Sequence, residues 1–183
     1  MTKIRPKIFL DVDGVINAQA ANYEYGLDPM GWRHLDQGIA TTPEGNRYRI
    51  TWAPEMIAEL NKLDVDIVWT TTWTTGAETQ IAPLVGLELP SRVLVPLNNE
   101  PVSFPSINWK LEAVVDDQTT APGPAIWLDD ELSIAQMDVA EPLGILSIRV
   151  DCTSGIRPED IDRIKQYIAA AELASETYSE VYE

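Results

Sequence analysis

The stretch that most constrains this chain is Lys7-Ile8-Phe9-Leu10-Asp11-Val12-Asp13-Gly14-Val15-Ile16-Asn17. Ile8, Phe9 and Leu10 form a short continuous apolar run, the pattern of a strand buried on both faces of a parallel sheet. The run ends in two carboxylates one residue apart, and Gly14 then permits a turn. Ligands in open α/β sheets bind just beyond the carboxyl ends of strands, so Asp11 and Asp13 stand where chemistry is expected. A turn-forming role explains such aspartates equally well when they are taken alone. The rest of the chain has to decide.

Further strands are expected at Val65–Thr71, Arg92–Val95, Ala125–Asp129 and Leu146–Val150. Between them, Pro54 opens a helix with Met56, Ile57, Leu60 and Leu63 on one face. A shorter helix spans Glu78–Val85, bent by Pro83 and ended by Gly86. Ile107, Leu111, Val114 and Val115 set a third helical stripe carrying Lys110, and Pro158–Ala171 a fourth through Ile161, Ile164 and Ile168. This alternation predicts an α/β fold, a parallel sheet with helices on both faces. Residues 17–52 carry no sustained helical period and are punctuated by Gly26, Pro29, Gly31, Gly38, Pro43 and Gly45, while Arg47–Trp52 alternates like one strand of a hairpin. That segment is expected to form a flap, or minimal cap, over the site. Pro96–Ser106 reads as a loop. The length of 183 residues suits one domain, 1–183. Residues 173–183 hold Glu176, Glu180 and Glu183 without lysine or arginine, and a frayed tail or solvated helix end is expected there.

The net charge of −16 argues against a general grip on nucleic acid or an anionic membrane, though not against a pocket for one phosphate. Cys152 is the only cysteine, which excludes an intrachain disulfide and suits a reducing compartment; on its own it reads as a small buried hydrophobe. No apolar run approaches the ~18 residues of a membrane span. Thr2 to Lys7 is polar and charged where a secretory leader would be apolar, so the expected location is the cytoplasm.

Four carboxylates, Asp11, Asp13, Asp129 and Asp130, end two of the expected strands. At ~4 Å and an effective dielectric of ~20, each like-charge pair costs about 4 kcal/mol, so the group needs a cation or a shared proton. An all-oxygen set favours Mg²⁺. His34 and Cys152 are the only imidazole and thiol, which disfavours zinc, and His34 reads as a flap or surface residue.

Asp11-Val12-Asp13-Gly14-Val15 has the DxDGx form of the first motif of the haloacid dehalogenase (HAD) superfamily of phosphotransferases, which this chain resembles. Three further pieces follow in the family's order: Val68-Trp69-Thr70-Thr71, Lys110, and Ile126-Trp127-Leu128-Asp129-Asp130. The Trp-x-Thr-x-Trp and Trp-Leu-Asp-Asp forms also look like small HAD domains in or near RNA-repair proteins. The resemblance spans roughly residues 7 to 150. It implies a three-layer Rossmannoid fold and Mg²⁺-dependent hydrolysis of a phosphomonoester. Asp11 would be the nucleophile that forms an aspartyl-phosphate, and Asp13 the general acid and then base. Asp11, Asp129, Asp130 and the backbone carbonyl of Asp13 would hold the metal. Thr71, or Thr72 if the register differs, would bind phosphoryl oxygens, with backbone N–H groups such as that of Gly14 nearby, and Lys110 would neutralise charge. In the family an insertion at residues 17–52 covers the pocket.

Trp69 and Trp127 read as core residues; Trp73 and Trp109 could stack on a substrate ring, although core packing explains them more simply. Arg33, Arg47 and Arg49 read as solvated flap charges that could hold a second anionic group. The expected substrate is a small phosphorylated metabolite or nucleotide. The alternatives are a 5′- or 3′-end phosphatase of nucleic acid and a catalytically silent phosphate- or partner-binding module.

Overall fold

A computed structural model describes residues 4–18, 31–97 and 108–182, with side chains in the last helix described through Ala174. Residues 19–30 of the expected flap, Ile107, and residues 98–106 of the expected Pro96–Ser106 loop lie outside the described residues.

The apolar run becomes β1, Lys7–Leu10, with Ile8, Phe9 and Leu10 fully buried. Each such side chain favours the fold by ~1.5–3 kcal/mol relative to exposure. Around β1 lie β4 (Asp66–Trp69), β5 (Ser91–Val93), β6 (Ala125–Asp129) and β7 (Ile145–Arg149), in the order β5-β4-β1-β6-β7. Every pairing in this sheet is parallel. Leu10 pairs with both Trp69 and Leu128, so the residues that follow β1, β4 and β6 emerge side by side at one edge. The chain builds outward from β1 to β4 and β5, then returns to β6. The gap between β1 and β6 is therefore the topological switch point where such sheets bind ligands.

Both faces of the sheet are covered. Ile8, Leu10, Ile67, Trp69, Ile126 and Leu128 form one core with Met56, Ile57 and Leu60 of α1 (Pro54–Leu60) and Ile161, Ile164 and Ile168 of α5 (Pro158–Tyr182). Phe9, Val68, Ala125 and Trp127 point the other way, towards Val114 of α3 (Asn108–Thr120) and Ala140 of α4 (Ile134–Ala140). This is the expected α/β three-layer arrangement.

The remaining strands, β2 (Asp36–Thr41) and β3 (Arg47–Trp52), form a separate antiparallel hairpin. Its turn closes through Gly45, held at φ +90°. The hairpin is anchored by Ala40, Ile50 and Trp52 in the first core and by the Thr51 N–H, which donates to the Asn17 side-chain oxygen at 2.9 Å.

Four details depart from expectation. The helix expected at Glu78–Val85 starts as a π-helical turn, Ala77–Ile81, and tightens into α2 (Ala82–Val85) before Gly86 ends it at φ +79°. Strand β5 is three residues long and begins one residue early. Helix α4 was not expected, because its seven residues give no clear apolar stripe. Finally, α5 runs past the expected Ala171 to Tyr182, which gives the tail the helical one of the two forms expected for it.

Candidate active site

Asp11 follows β1 directly, and the register sets it between Thr70 after β4 and Asp129 at the end of β6. The Asp11 N–H donates to the Leu128 carbonyl at 3.1 Å, and the Thr70 N–H to the Leu10 carbonyl at 2.9 Å. The sheet ladder thus continues one step into the site and holds its backbone.

Lys110 reaches this edge from the first turn of α3. Its Nζ donates to Asp11 Oδ2 at 2.7 Å and to Asp129 Oδ2 at 2.7 Å, and all three side chains are buried. Burial favours the neutral amine, but the two carboxylates outweigh it and hold Lys110 above its usual range. Asp129 is pushed up to about 6 by burial and by the charge of Asp11, against the pull of Lys110. Asp130 is pushed up to about 7 by burial and by Asp11 and Asp129. Carboxylate oxygens of Asp11, Asp129 and Asp130 all lie within 4.8 Å of one another. Three acids share one lysine, so an excess of negative charge remains, and the donor set is all oxygen. Both features fit Mg²⁺.

Asp13 lies outside that cluster of side chains and is held by other donors. Asn17 Nδ2 donates to its Oδ1 at 2.7 Å, and Trp73 Nε1 to its Oδ2 at 2.8 Å. Burial raises the Asp13 carboxyl above its usual range, although both hydrogen bonds oppose the rise. Trp73 is only 3% exposed although it borders the cavity at this edge, and Trp109 is likewise buried. The link from Trp73 to Asp13 was not foreseen. A signal existed: β1 and β4 are adjacent, and each carries its residue a few positions past the strand end.

Gly14 serves the site in a way its expected phosphate-binding role did not anticipate. Its N–H donates to the Asn17 carbonyl at 2.9 Å and is already engaged. The residue sits at φ +72°, and a Cβ there would lie 2.4 Å from Asp130 Cγ. Only glycine lets the turn and the Asp130 carboxylate approach so closely.

Thr71 is fully buried, its hydroxyl oxygen accepting from the Trp73 N–H at 3.4 Å, whereas Thr72 opens on the cavity. Thr74, at φ +48°, closes this turn in a conformation rare for a β-branched residue. The cavity holds about 450 Å³. Asp11, Asp13, Lys110 and Asp130 line one part of it, and Thr42, Glu44, Asn46 and Tyr48 of the hairpin line another.

Cys152 is exposed and lines the same cavity, which corrects the expectation of a buried hydrophobe: it lies in the loop after β7, beyond the core. His34 is exposed and pairs with Asp36 at 2.7 Å. Arg33, Arg47 and Arg49 are exposed and are not among the described residues lining the cavity. Among the described residues no helix is long and apolar enough to cross a membrane.

The family model for the HAD domain in Swiss Army Knife RNA repair proteins matches residues 7–161. No curated protein and no solved structure matches the chain.

Proposed function

The chain belongs to the family of HAD domains in Swiss Army Knife RNA repair proteins, and from that premise we propose that it is a Mg²⁺-dependent phosphomonoester hydrolase acting through an aspartyl-phosphate. Family membership itself implies phosphatase-type hydrolase chemistry. The observation that carries the finer reading is the Lys110 ammonium bridging Asp11 and Asp129 at 2.7 Å each, beside Asp130 and at the margin of a cavity.

Asp11 is the nucleophile: one carboxylate oxygen bonds to phosphorus as the bond to the leaving oxygen breaks. Asp13 gives that oxygen its proton, then takes one from the water that releases phosphate. Burial raises its pKa, the direction that a general acid requires. Asn17 and Trp73 aim it. Lys110 keeps Asp11 oriented and offsets charge on the phosphoryl oxygens, and Thr71 or Thr72 supplies a hydroxyl donor. Asp11, Asp129 and Asp130 would hold Mg²⁺, with the Asp13 carbonyl joining them by resemblance, and the ion would supply positive charge against the phosphoryl oxygens. Residues 17–52 act as a minimal cap that limits water.

The substrate we infer is a small phosphomonoester. The test is release of phosphate from a generic aryl phosphate with and without Mg²⁺. Turnover should vanish after dialysis against a chelator and return with the ion, and Asp11→Asn should abolish it. Undiminished turnover in the chelated protein, or in Asp11→Asn, would overturn the reading. The family description favours a second reading, a phosphatase of RNA ends. A tenfold preference for an oligonucleotide over a mononucleotide with the same terminal phosphate, fading with salt, would select it.

A further inference from the structure

Tyr48 sits on β3 with half its surface open, 51% exposed, on the wall of the cavity that contains Asp11. Its ring meets the buried Trp73 ring at 5.7 Å between centroids and 72° between planes. This edge contact against a buried neighbour supports the tyrosine while leaving much of it accessible. Trp73 in turn donates to Asp13, so the exposed ring is one residue away from the candidate acid. Beside it, Thr42 and Asn46 bring a hydroxyl and an amide, groups that read polar ring edges without demanding charge.

The charge of the cavity lining as a whole is one-sided. Glu44, Glu131 and Asp130 are acidic, and the only cation among the described lining residues is Lys110, which is engaged by Asp11 and Asp129. A second phosphate would meet carboxylates and find no basic partner there. A plain sugar phosphate would leave the tyrosine ring unused. The volume of about 450 Å³ falls within the range of small-ligand pockets.

We propose that the tip of the β2–β3 hairpin, with Tyr48 as its stacking surface, is a recognition site for a planar, uncharged ring on the leaving group of a single phosphate ester. The proposal rests on the phosphatase reading above and narrows it to esters of the nucleoside-monophosphate type.

The test compares a nucleoside 5′-monophosphate with ribose 5-phosphate, which present the same ester and differ by the base. With Mg²⁺, the catalytic efficiency of the parent protein should favour the nucleotide at least tenfold, since stacking of one base on one aromatic ring supports a factor of that size. In Tyr48→Ala the ratio should collapse towards one, and in Tyr48→Phe it should persist. A dinucleotide bearing the same terminal phosphate should be used less well than the mononucleotide, and Glu44→Gln should narrow that gap. Calorimetric binding of both monoesters to Asp11→Asn separates the two levels of the argument. Nucleotide-selective binding that depends on Tyr48, without turnover by the parent protein, would sustain this site and sink the phosphatase reading. Turnover with a ratio near one, or a ratio indifferent to Tyr48→Ala, would overturn this site and leave the phosphatase reading standing. Preference for the dinucleotide would also overturn it, and absence of both turnover and selective binding would remove both.

Discussion

Replacing Lys110 with methionine keeps much of the side-chain volume and removes one buried ammonium. Its Nζ lies 2.7 Å from Asp11 and 2.7 Å from Asp129. At an effective dielectric of ~20, each contact carries about 6 kcal/mol of gross attraction, much of it cancelled by the cost of burying the ions. The net loss from deleting one partner of a buried pair is roughly 3–5 kcal/mol, because carboxylates remain without their cation. Lys110→Met should therefore lose about that much stability at pH 8 without metal, read from urea unfolding midpoints. The loss should shrink with acid. Lys110 itself has its pKa raised, so its contribution is complete below the unfolded lysine value and is constant between pH 5.5 and 8. The carboxylates Asp129 and Asp130 are also raised, to about 6 and about 7, so below neutrality the folded cluster binds protons that the unfolded chain does not. Each such proton favours the folded variant by about 1.4 kcal/mol per pH unit. Without the lysine, the pull that holds Asp129 down is gone, so the variant takes up this proton more readily than the parent and should recover at least 1 kcal/mol relative to it between pH 8 and pH 5.5. Saturating Mg²⁺ should recover part of the loss at pH 8. A loss below 1 kcal/mol at pH 8, or one of equal size at both pH values, would show that Lys110 does not hold this cluster together.

Mg²⁺ must displace protons from Asp129 and Asp130, so its apparent affinity should fall as pH drops from 8 to 5.5, with proton release measurable by calorimetry in buffers of different ionisation enthalpy. Trp73→Phe keeps the ring against Tyr48 but removes the N–H that reaches Asp13, so kcat on an aryl phosphate should drop by about tenfold or more with KM little changed; a change in KM alone would assign Trp73 to substrate binding. Gly14→Ala should lower thermal stability and weaken Mg²⁺ binding together, because its Cβ would lie 2.4 Å from Asp130 Cγ in a positive-φ turn; unchanged metal affinity would mean that Asp130 is not a ligand. Ser133→Ala should cost about 1 kcal/mol in unfolding free energy without altering turnover, since it removes only the reciprocal cap of α4.

What could be read in the sequence follows a physical divide. Strands β1, β4 and β6 are short, largely apolar segments buried by a two-faced sheet, and such burial leaves a direct mark on composition. Asp11, Asp129 and Lys110 were legible because they ride on those strands or on a striped helix, at positions that strand ends dictate. Helix α4 was missed since its stability comes from its start: Ser133 caps the Gln136 N–H, and the Gln136 side chain reciprocates. That Ser-x-x-Gln signature was present in the chain, without an apolar stripe behind it. The hydrogen bond from Trp73 to Asp13 depends on how two turns approach each other, a distance that neither turn encodes alone. The same holds for Gly14, whose crowding against Asp130 joins residues 116 positions apart in the chain. Cys152 misled because exposure is set by where a loop leaves the core, and residue type is only a weak guide to that.

The placement of charge, more than its total, is what makes one end of β1 suited to chemistry. Lysine is buried near both ends of this strand. At the amino end, Lys7 Nζ donates to Asp117 at 2.7 Å and to the Ala121 carbonyl at 2.8 Å, and Asp117 also pairs with Arg92. Two cations there meet one carboxylate and neutral carbonyls, so no cation is needed and the arrangement serves packing. At the carboxyl end, Lys110 meets Asp11 and Asp129 with Asp130 close by. Three carboxylates against one ammonium leave two negative charges when all are ionised, in a partly buried site where each uncompensated charge is costly. A divalent cation would cancel that excess, and burial together with the neighbouring carboxylates raises Asp129 and Asp130, so protons can do so as well. On the proposed reading, an acidic chain with a net charge of −16 would draw in a phosphate dianion at this edge through a cation supplied from solution and held where the sheet order reverses.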